Sequence, residues 1–317
     1  MQFMENLKET SSKTSNFDNS STKLLHTPVL VKEVLENLNI KPNGIYVDAT
    51  FGCGGHTKAI LEAEKTCRVI ALDWDLSTIE QNGPIFKEIY GDRIQMIWGN
   101  FSHLYRLLKK EKIKSVDGIL ADFGTSQLQI NQTDGLSFQK DSPLDMRMSK
   151  AHNYYNAKFV VNRYSERDLI KILFEFGEEI HAKKIARTIV KERQNQEIDT
   201  TLQLASLIEK VVPINSKNYR IHPATKTFQA LRIYVNKELE NIELFLPATL
   251  HFLNNEGRLA CISFHSLEDR IVKNFIKENS AKLLNLTPKP ITASDEEIEQ
   301  NRSSRSAKLR VAQKIIF

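Results

Sequence analysis

Cysteine is nearly absent: Cys53, Cys67 and Cys261 are the only three in 317 residues, odd in number and far apart. That argues against a disulfide framework and for a reducing compartment. No group of Cys and His has zinc-ligand spacing, so no metal site is expected. No uninterrupted apolar run approaches membrane-spanning length, and the N-terminus lacks the apolar core of a signal peptide. A cytoplasmic protein with no membrane partner is expected. A strong charge bias is missing too, since 44 Lys+Arg stand against 39 Asp+Glu, a net charge of +5. So small an excess permits a nucleic-acid partner without requiring one, and clustering of the cations has to decide. What remains is an ordinary globular composition, 41% hydrophobic and 26% charged, with length for about two domains.

Residues 1–23 are rich in Ser, Thr, Asn and Lys and read as a flexible tail, too poor in apolar surface to offset ordering. Beyond it, Val31, Val34, Leu35 and Leu38 keep helical spacing. Next comes Gly44-Ile-Tyr-Val-Asp-Ala-Thr-Phe-Gly-Cys-Gly-Gly-His56, an apolar strand, an acid and a loop with three glycines. A strand feeding a glycine loop and a helix lets backbone approach a ligand and points helix N–H groups at it. A dinucleotide fingerprint would be G-x-G-x-x-G, but Thr57 holds the third glycine position and Asp48 precedes the loop. A carboxylate there repels a pyrophosphate and suits a cationic ligand with hydroxyls and an ammonium group. S-adenosylmethionine has that character.

Strands follow in βα order. Arg68-Val-Ile-Ala-Leu-Asp73 ends in an acid about twenty residues after the loop, where a nucleotide site places the carboxylate that grips ribose hydroxyls. Gln95-Met-Ile-Trp98 leads to Phe101, whose ring is placed to lie against adenine. Gly118-Ile-Leu-Ala121 ends in Asp122. Asp48, Asp73, Phe101 and Asp122 therefore share the sheet edge at which open α/β folds bind ligands. From about Leu128 to Tyr155 the chain turns polar, and three helical segments follow with no strands between them. The first, near Ser165 to Phe176, is capped by Ser165 with Asp168 and stops at Gly177. The second, about Glu179 to Glu192, carries the basic row Lys183, Arg187 and Lys191. The third runs from about Thr201 to Val212. Phe228, Leu231, Val235, Leu239, Ile242 and Leu246 then step through one long amphipathic helix. Asn254 to Gly257 reads as a turn and Arg258 to Phe264 as a strand, with Ser266 and Asp269 capping the next helix. A mobile, charged segment from Leu284 to Arg305 precedes an edge strand over Ala307 to Val311. The resulting expectation is an α/β domain interrupted by a helical one.

Five stretches carry a resemblance: His26-Thr-Pro-Val-Leu30, Asp48-Ala-Thr-Phe-Gly-Cys-Gly-Gly-His56, Asp141-Ser-Pro-Leu-Asp-Met-Arg-Met148, His222-Pro-Ala-Thr-Lys-Thr-Phe-Gln-Ala-Leu-Arg232 and Ile262-Ser-Phe-His-Ser-Leu-Glu-Asp-Arg-Ile-Val272. In this order they resemble the bacterial 16S ribosomal RNA cytosine-N4 methyltransferases, which use S-adenosylmethionine. The resemblance implies a seven-stranded Rossmann-like methyltransferase sheet with an inserted all-helical domain, and a target in the decoding region. It divides the chain into a methyltransferase domain, residues 24–127 and 224–317, and an inserted substrate-recognition domain, residues 128–223. It places Gly54, Gly55, His56, Asp73, Phe101, Asp122 and Gln129 at the cofactor. The chain departs from the family pattern at Asp122-Phe-Gly-Thr-Ser-Gln127, at Gln129-Ile-Asn131 and at Asp134-Gly-Leu-Ser-Phe138, all beside the expected substrate edge.

The exocyclic amine of cytosine is a poor nucleophile, so an enzyme has to align it with the sulfonium methyl and accept its hydrogen bonds. Asp122 is the first candidate for that acceptor, without the Pro-Pro-aromatic sequence that follows such an acid in many amino methyltransferases. Asp145 is the second, with pairing to Arg147 as its structural alternative. Lys183, Arg187 and Lys191, with Lys217, Arg220 and Lys226, are placed to track phosphates of small-subunit RNA, free or in an assembled subunit. His56 is expected to shape the cofactor loop and His265 to order the strand-to-helix turn. Cys53 has no His beside it to activate it as a nucleophile. The competing readings are a ribosome-assembly RNA-binding protein with weakened catalysis, a DNA amino methyltransferase and a nicotinamide oxidoreductase. Homodimer formation is left open.

Overall fold

The computed structural model describes residues 28–124, 133–150, 153–212 and 222–315. The tail of residues 1–23 and three expected site residues, Gln129, Lys217 and Arg220, lie outside the described residues, as do Gln127 and Asn131.

Alternating apolar strands and amphipathic helices build a sheet in the order β3-β2-β1-β4-β5-β8-β6, with a short β7 pairing β8. The strands are β1 (Ile45–Asp48), β2 (Arg68–Asp73), β3 (Ile94–Trp98), β4 (Val116–Asp122), β5 (Leu253–Ser263), β6 (Leu283–Asn285), β7 (Ile291–Thr292) and β8 (Lys308–Lys314). β3 to β5 run parallel; β8 is antiparallel to β5 and to β6. Strand residues alternate between two cores: Val47, Ile70, Ile119 and Leu259 on one face, Tyr46, Val69, Leu120 and Ala260 on the other. That is the period-2 pattern of a sheet covered by helices on both sides. α1 (Val31–Leu38) and α2 (Gly55–Ala63) border the second core; α2, α3 (Leu76–Tyr90) and α4 (Leu104–Lys110) form the three crossovers from β1 to β4. Strand order reverses between β1 and β4, so a crevice opens at their carboxyl ends.

Three expectations about the last third of the chain need correction. The C-terminal segment from Leu284 is ordered: it supplies β6, β7 and a short helix, Asp295–Gln300, and Glu297 Oε1 accepts from Leu30 N at 2.7 Å. β8 is not an edge strand but lies between β5 and β6, its residues Leu309 to Ala312 buried. Asn254 to Gly257 belongs to β5, where the register against β4 shifts between Val116 and Gly118.

A third, separate core is built by α5 (Ala157–Arg163), α6 (Glu166–Gly177), α7 (Ala182–Glu192), α8 (Thr201–Glu209) and α9 (Thr225–Asn236). Its centre holds Leu169, Leu173, Ile185, Ile189, Leu204, Phe228 and Leu231. The single long helix expected from Phe228 to Leu246 is two: Lys237, at φ 52°, separates α9 from α10 (Glu238–Phe252). Phe228, Leu231 and Val235 pack in the helical core, whereas Ile242 and Leu246 pack under the sheet. Gly177 does not end α6 by a left-handed turn; Glu178 does, at φ 46°, and a Cβ on Gly177 would stand 2.7 Å from the Lys226 carbonyl oxygen. Its role is the close approach of α6 to α9. α11 (Ser266–Glu278) follows β5.

Candidate functional site

The cleft lies where the order of the strands reverses. Asp48, buried at the end of β1, accepts from Thr50 N at 3.1 Å and from Thr57 Oγ1 at 2.7 Å. Thr57 thus occupies the third-glycine position in order to tie α2 to the strand-end acid. Burial pushes the Asp48 carboxyl up, against the pull of His56 and the Thr57 hydroxyl. Gly52 and Gly54 both have left-handed backbone, φ 52° and 77°. Gly55 and Gly52 line the cleft; Gly54 instead faces Phe86, where a Cβ would stand 2.2 Å from Cζ.

Asp73 closes β2 beside this loop. Its Oδ2 accepts from Gly52 N at 2.8 Å and its Oδ1 from Asp75 N at 2.9 Å, yet burial raises its pKa to about 7. Asp122 closes β4: its N donates to Thr50 Oγ1 at 2.7 Å and its Oδ1 accepts from Gly124 N at 3.1 Å. Asp122 Oδ2 lies 3.6 Å from His56 Nε2. Both ring nitrogens of His56 are buried without a hydrogen-bond partner among the described residues, although the residue lines the cleft. Buried polar atoms left open beside a cleft are what a bound polar ligand would satisfy. Phe101 lies against Phe123 and Phe245, with centroids 5.8 Å and 5.4 Å away, and forms an apolar wall. The Cys53 thiol also lines the cleft, but burial first and Asp73 second push its pKa up, the opposite of an activated nucleophile.

The opposite wall was not legible in the sequence. It carries Met148, Glu238 and Asn241 at the start of α10, and Phe264 and Glu268 at the start of α11. Glu238 takes a two-fold ion pair from Arg232, 2.9 Å at both Nε and Nη2. Glu268 accepts from Phe264 N at 2.7 Å and forms a capping box with His265, which is the N-cap of α11. His265 thus orders the turn as expected, but Ser266 and Asp269 are not the caps. Ser266 Oγ donates to Glu178, and Asp269 pairs with Arg310 at 2.6 Å. Glu238, His265 and Glu268 bring donor atoms within 4.8 Å of one another, but Arg232 and the backbone N–H groups already engage the two carboxylates. The one sequence signal for this wall was the capping-box spacing of Glu268, three residues after His265. Among the cleft-lining residues the charged side chains are Asp73, Asp122, Glu238 and Glu268, with no Lys or Arg.

Asp145 is absent from this lining. Its carboxylate takes Arg147 Nε at 2.6 Å and Nη2 at 2.9 Å. Burial raises its pKa, but those bonds outweigh it and hold the carboxyl below its usual range. The pairing with Arg147 is what the geometry displays. Lys183, Arg187 and Lys191 form an exposed row on α7, Arg187 lying 3.7 Å from Glu166. Lys226 Nζ donates to the Glu178 carbonyl at 3.0 Å and so closes the end of α6.

Residues 23–315 match the model of the MraW methylase family. A protein of Caldicellulosiruptor saccharolyticus called ribosomal RNA small subunit methyltransferase H is 47% identical over 309 residues, covering 92% of this chain and 99% of the relative. Its namesake in Carboxydothermus hydrogenoformans is 42% identical, covering 92% and 98%. The solved structure of an rRNA methylase from Streptococcus thermophilus is 10% identical with a TM-score of 0.42, covering 90% of this chain and 94% of that one. With a match that runs from the tail to the last strand, this chain belongs to the MraW methylase family.

Proposed function

We propose that the protein methylates the exocyclic N4 amine of a cytidine in small-subunit ribosomal RNA, in the decoding region, with S-adenosylmethionine as methyl donor. The observation that carries the donor is a glycine-loop cleft at the strand-order reversal whose charged side chains are all acidic. A pyrophosphate would be repelled there, whereas a sulfonium and an ammonium group are attracted. Open His56 nitrogens and the unobstructed left-handed backbone at Gly52 fit such a ligand. The printed names of the relatives support the RNA substrate.

Asp73 accepts the ribose hydroxyls, Phe101 lies against the adenine, and the loop from Gly52 to His56 holds the amino-acid end. Bound there, S-adenosylmethionine supplies a methyl group on a positively charged sulfur. Asp122 accepts a hydrogen bond from the target amine and turns its lone pair toward that methyl. A nitrogen–carbon bond would form as the carbon–sulfur bond breaks, the electron pair of that bond staying on sulfur, and the proton lost by the amine would pass to water at the open cleft. Glu268, with Glu238 held by Arg232, lines the other side of the cleft. We place the substrate-recognition unit at residues 128–236, because α9 packs with the inserted helices; Lys183, Arg187 and Lys191 provide its phosphate contacts.

Asp122→Ala is expected to lower single-turnover methyl transfer to undermethylated small subunits by roughly a hundredfold or more at saturating donor. An unimpaired rate would remove Asp122 from the chemistry. Mapping labelled methyl groups on that RNA tests the nucleotide and the N4 position independently.

A further inference from the structure

Three aromatic rings stand together in water on the helical part. Tyr154 is 86% exposed, Tyr155 47% and Phe159 39%. Tyr155 and Phe159 stack with centroids 4.3 Å apart and planes 20° from parallel, and Tyr154 meets Tyr155 edge-on at 4.9 Å. The neighbours Ala157, Val160 and Val161 turn inward, so the helical core is complete without these rings. A contiguous exposed aromatic patch of this kind marks a binding surface more often than a single exposed ring does.

Its position ties it to the cleft. Asn236 Oδ1 accepts from Met148 N at 2.8 Å and from Asn153 Nδ2 at 3.1 Å, and Asn236 Nδ2 donates to the Met146 carbonyl at 2.8 Å. One buried asparagine therefore fixes both the cleft-lining Met148 and the residue just before Tyr154. Tyr154 follows Met148 by six residues, which span at most about 20 Å of backbone, so the start of the patch stands within that reach of the cleft lining. The charge is permissive as well. Glu197 and Asp199 are matched by Lys158, at 3.4 Å and 2.9 Å, and Arg163 also pairs with Glu197; Lys150 is exposed nearby in sequence.

We propose that Tyr154, Tyr155 and Phe159 form a stacking ledge for unpaired nucleobases flanking the one that enters the cleft. Flat rings bind base faces whatever the sequence, and only unpaired bases offer those faces. The ledge rests on the reading of the substrate as RNA, not on which base is methylated.

The test uses the full chain and a Tyr154→Ala/Tyr155→Ala double variant, with Tyr155→Trp as the conservative control. Short fluorescein-labelled RNAs, one single-stranded and one a duplex, are titrated by anisotropy over a series of KCl concentrations. The double variant is expected to bind the single strand roughly 5- to 100-fold more weakly at every salt concentration. The slope of log K against log[KCl] stays unchanged, because no phosphate contact is lost. Duplex binding and melting temperature also stay as in the parent, and Tyr155→Trp retains binding. Equal affinity of variant and parent, an altered salt slope, or an equal loss for duplex overturns the ledge. A parent protein that binds neither RNA nor small ribosomal subunits overturns the RNA reading itself. Loss of a dimer in sedimentation with RNA binding intact would assign the rings to a second copy and overturn the ledge.

Discussion

Asp73 holds a proton more tightly than a free carboxyl, and this has a measurable consequence. Ionising it in the fold is costlier than in the unfolded chain, so its stabilising contribution is full below about 3.8 and is lost as pH rises through about 7. A donor whose ribose hydroxyls need the ionised carboxylate binds against that proton. Affinity for S-adenosylmethionine should therefore rise with pH, by up to roughly tenfold per unit below about 7, and level off above it. Calorimetric titration across that range checks this, and Asp73→Asn should flatten the profile while weakening binding; a parent profile that is already flat would remove Asp73 from the ribose. Thr57 makes the complementary point about single residues. Read in the sequence, it was a missing glycine that argued against a dinucleotide; in the fold it is the hydrogen-bond donor that fixes Asp48.

Among the elements, the break between α9 and α10 decides the most. Apolar residues at three- and four-residue spacing run through Lys237 without interruption, because periodicity records which face is buried and not which core buries it. The left-handed backbone at Lys237 redirects the chain, and the residue after it, Glu238, arrives at the cleft held by Arg232. A side chain at positive φ costs on the order of 1–2 kcal/mol relative to glycine. Lys237→Gly is accordingly expected to raise the unfolding free energy by about 1 kcal/mol in chemical denaturation, part of the gain being offset by unfolded-chain entropy. A neutral or destabilising result would mean that the Lys side chain has a role the geometry does not display. α5 escaped the sequence for a related reason: at seven residues it gives periodicity little to register, and its signal was the Asn156 cap, which accepts from Phe159 N at 2.8 Å.

At the scale of the molecule, charge is segregated although the total is nearly balanced. The cleft lining is acidic, and α7 presents Lys183, Arg187 and Lys191 outward. On the proposed reading, a cationic donor and a polyanionic substrate would be drawn to different parts of one chain. Arg187→Glu/Lys191→Glu should weaken RNA binding and lessen its salt dependence, with donor affinity unchanged, as filter binding over a salt series and calorimetry would measure. RNA affinity untouched by the reversal would reduce that row to solvated surface. No helix among the described residues is long and apolar enough to cross a membrane.

The strand ends Asp48, Asp73 and Asp122 were determined by the sequence itself, because a buried parallel strand writes a continuous apolar run and its terminal residue is marked by the change to polar. The glycine loop and the helical interruption were written locally in the same way. Only the tertiary structure decided what faces them. Met148, Glu238, Asn241 and Glu268 come from segments far apart in the chain, and their side chains carry no local pattern that says cleft. It also decided that Asp145 is engaged by Arg147, that Gly54 packs on Phe86, and that β8 lies inside the sheet. Period and spacing report the conformation of a segment, whereas neighbours across the fold are set by how whole elements pack, which no window of the sequence contains.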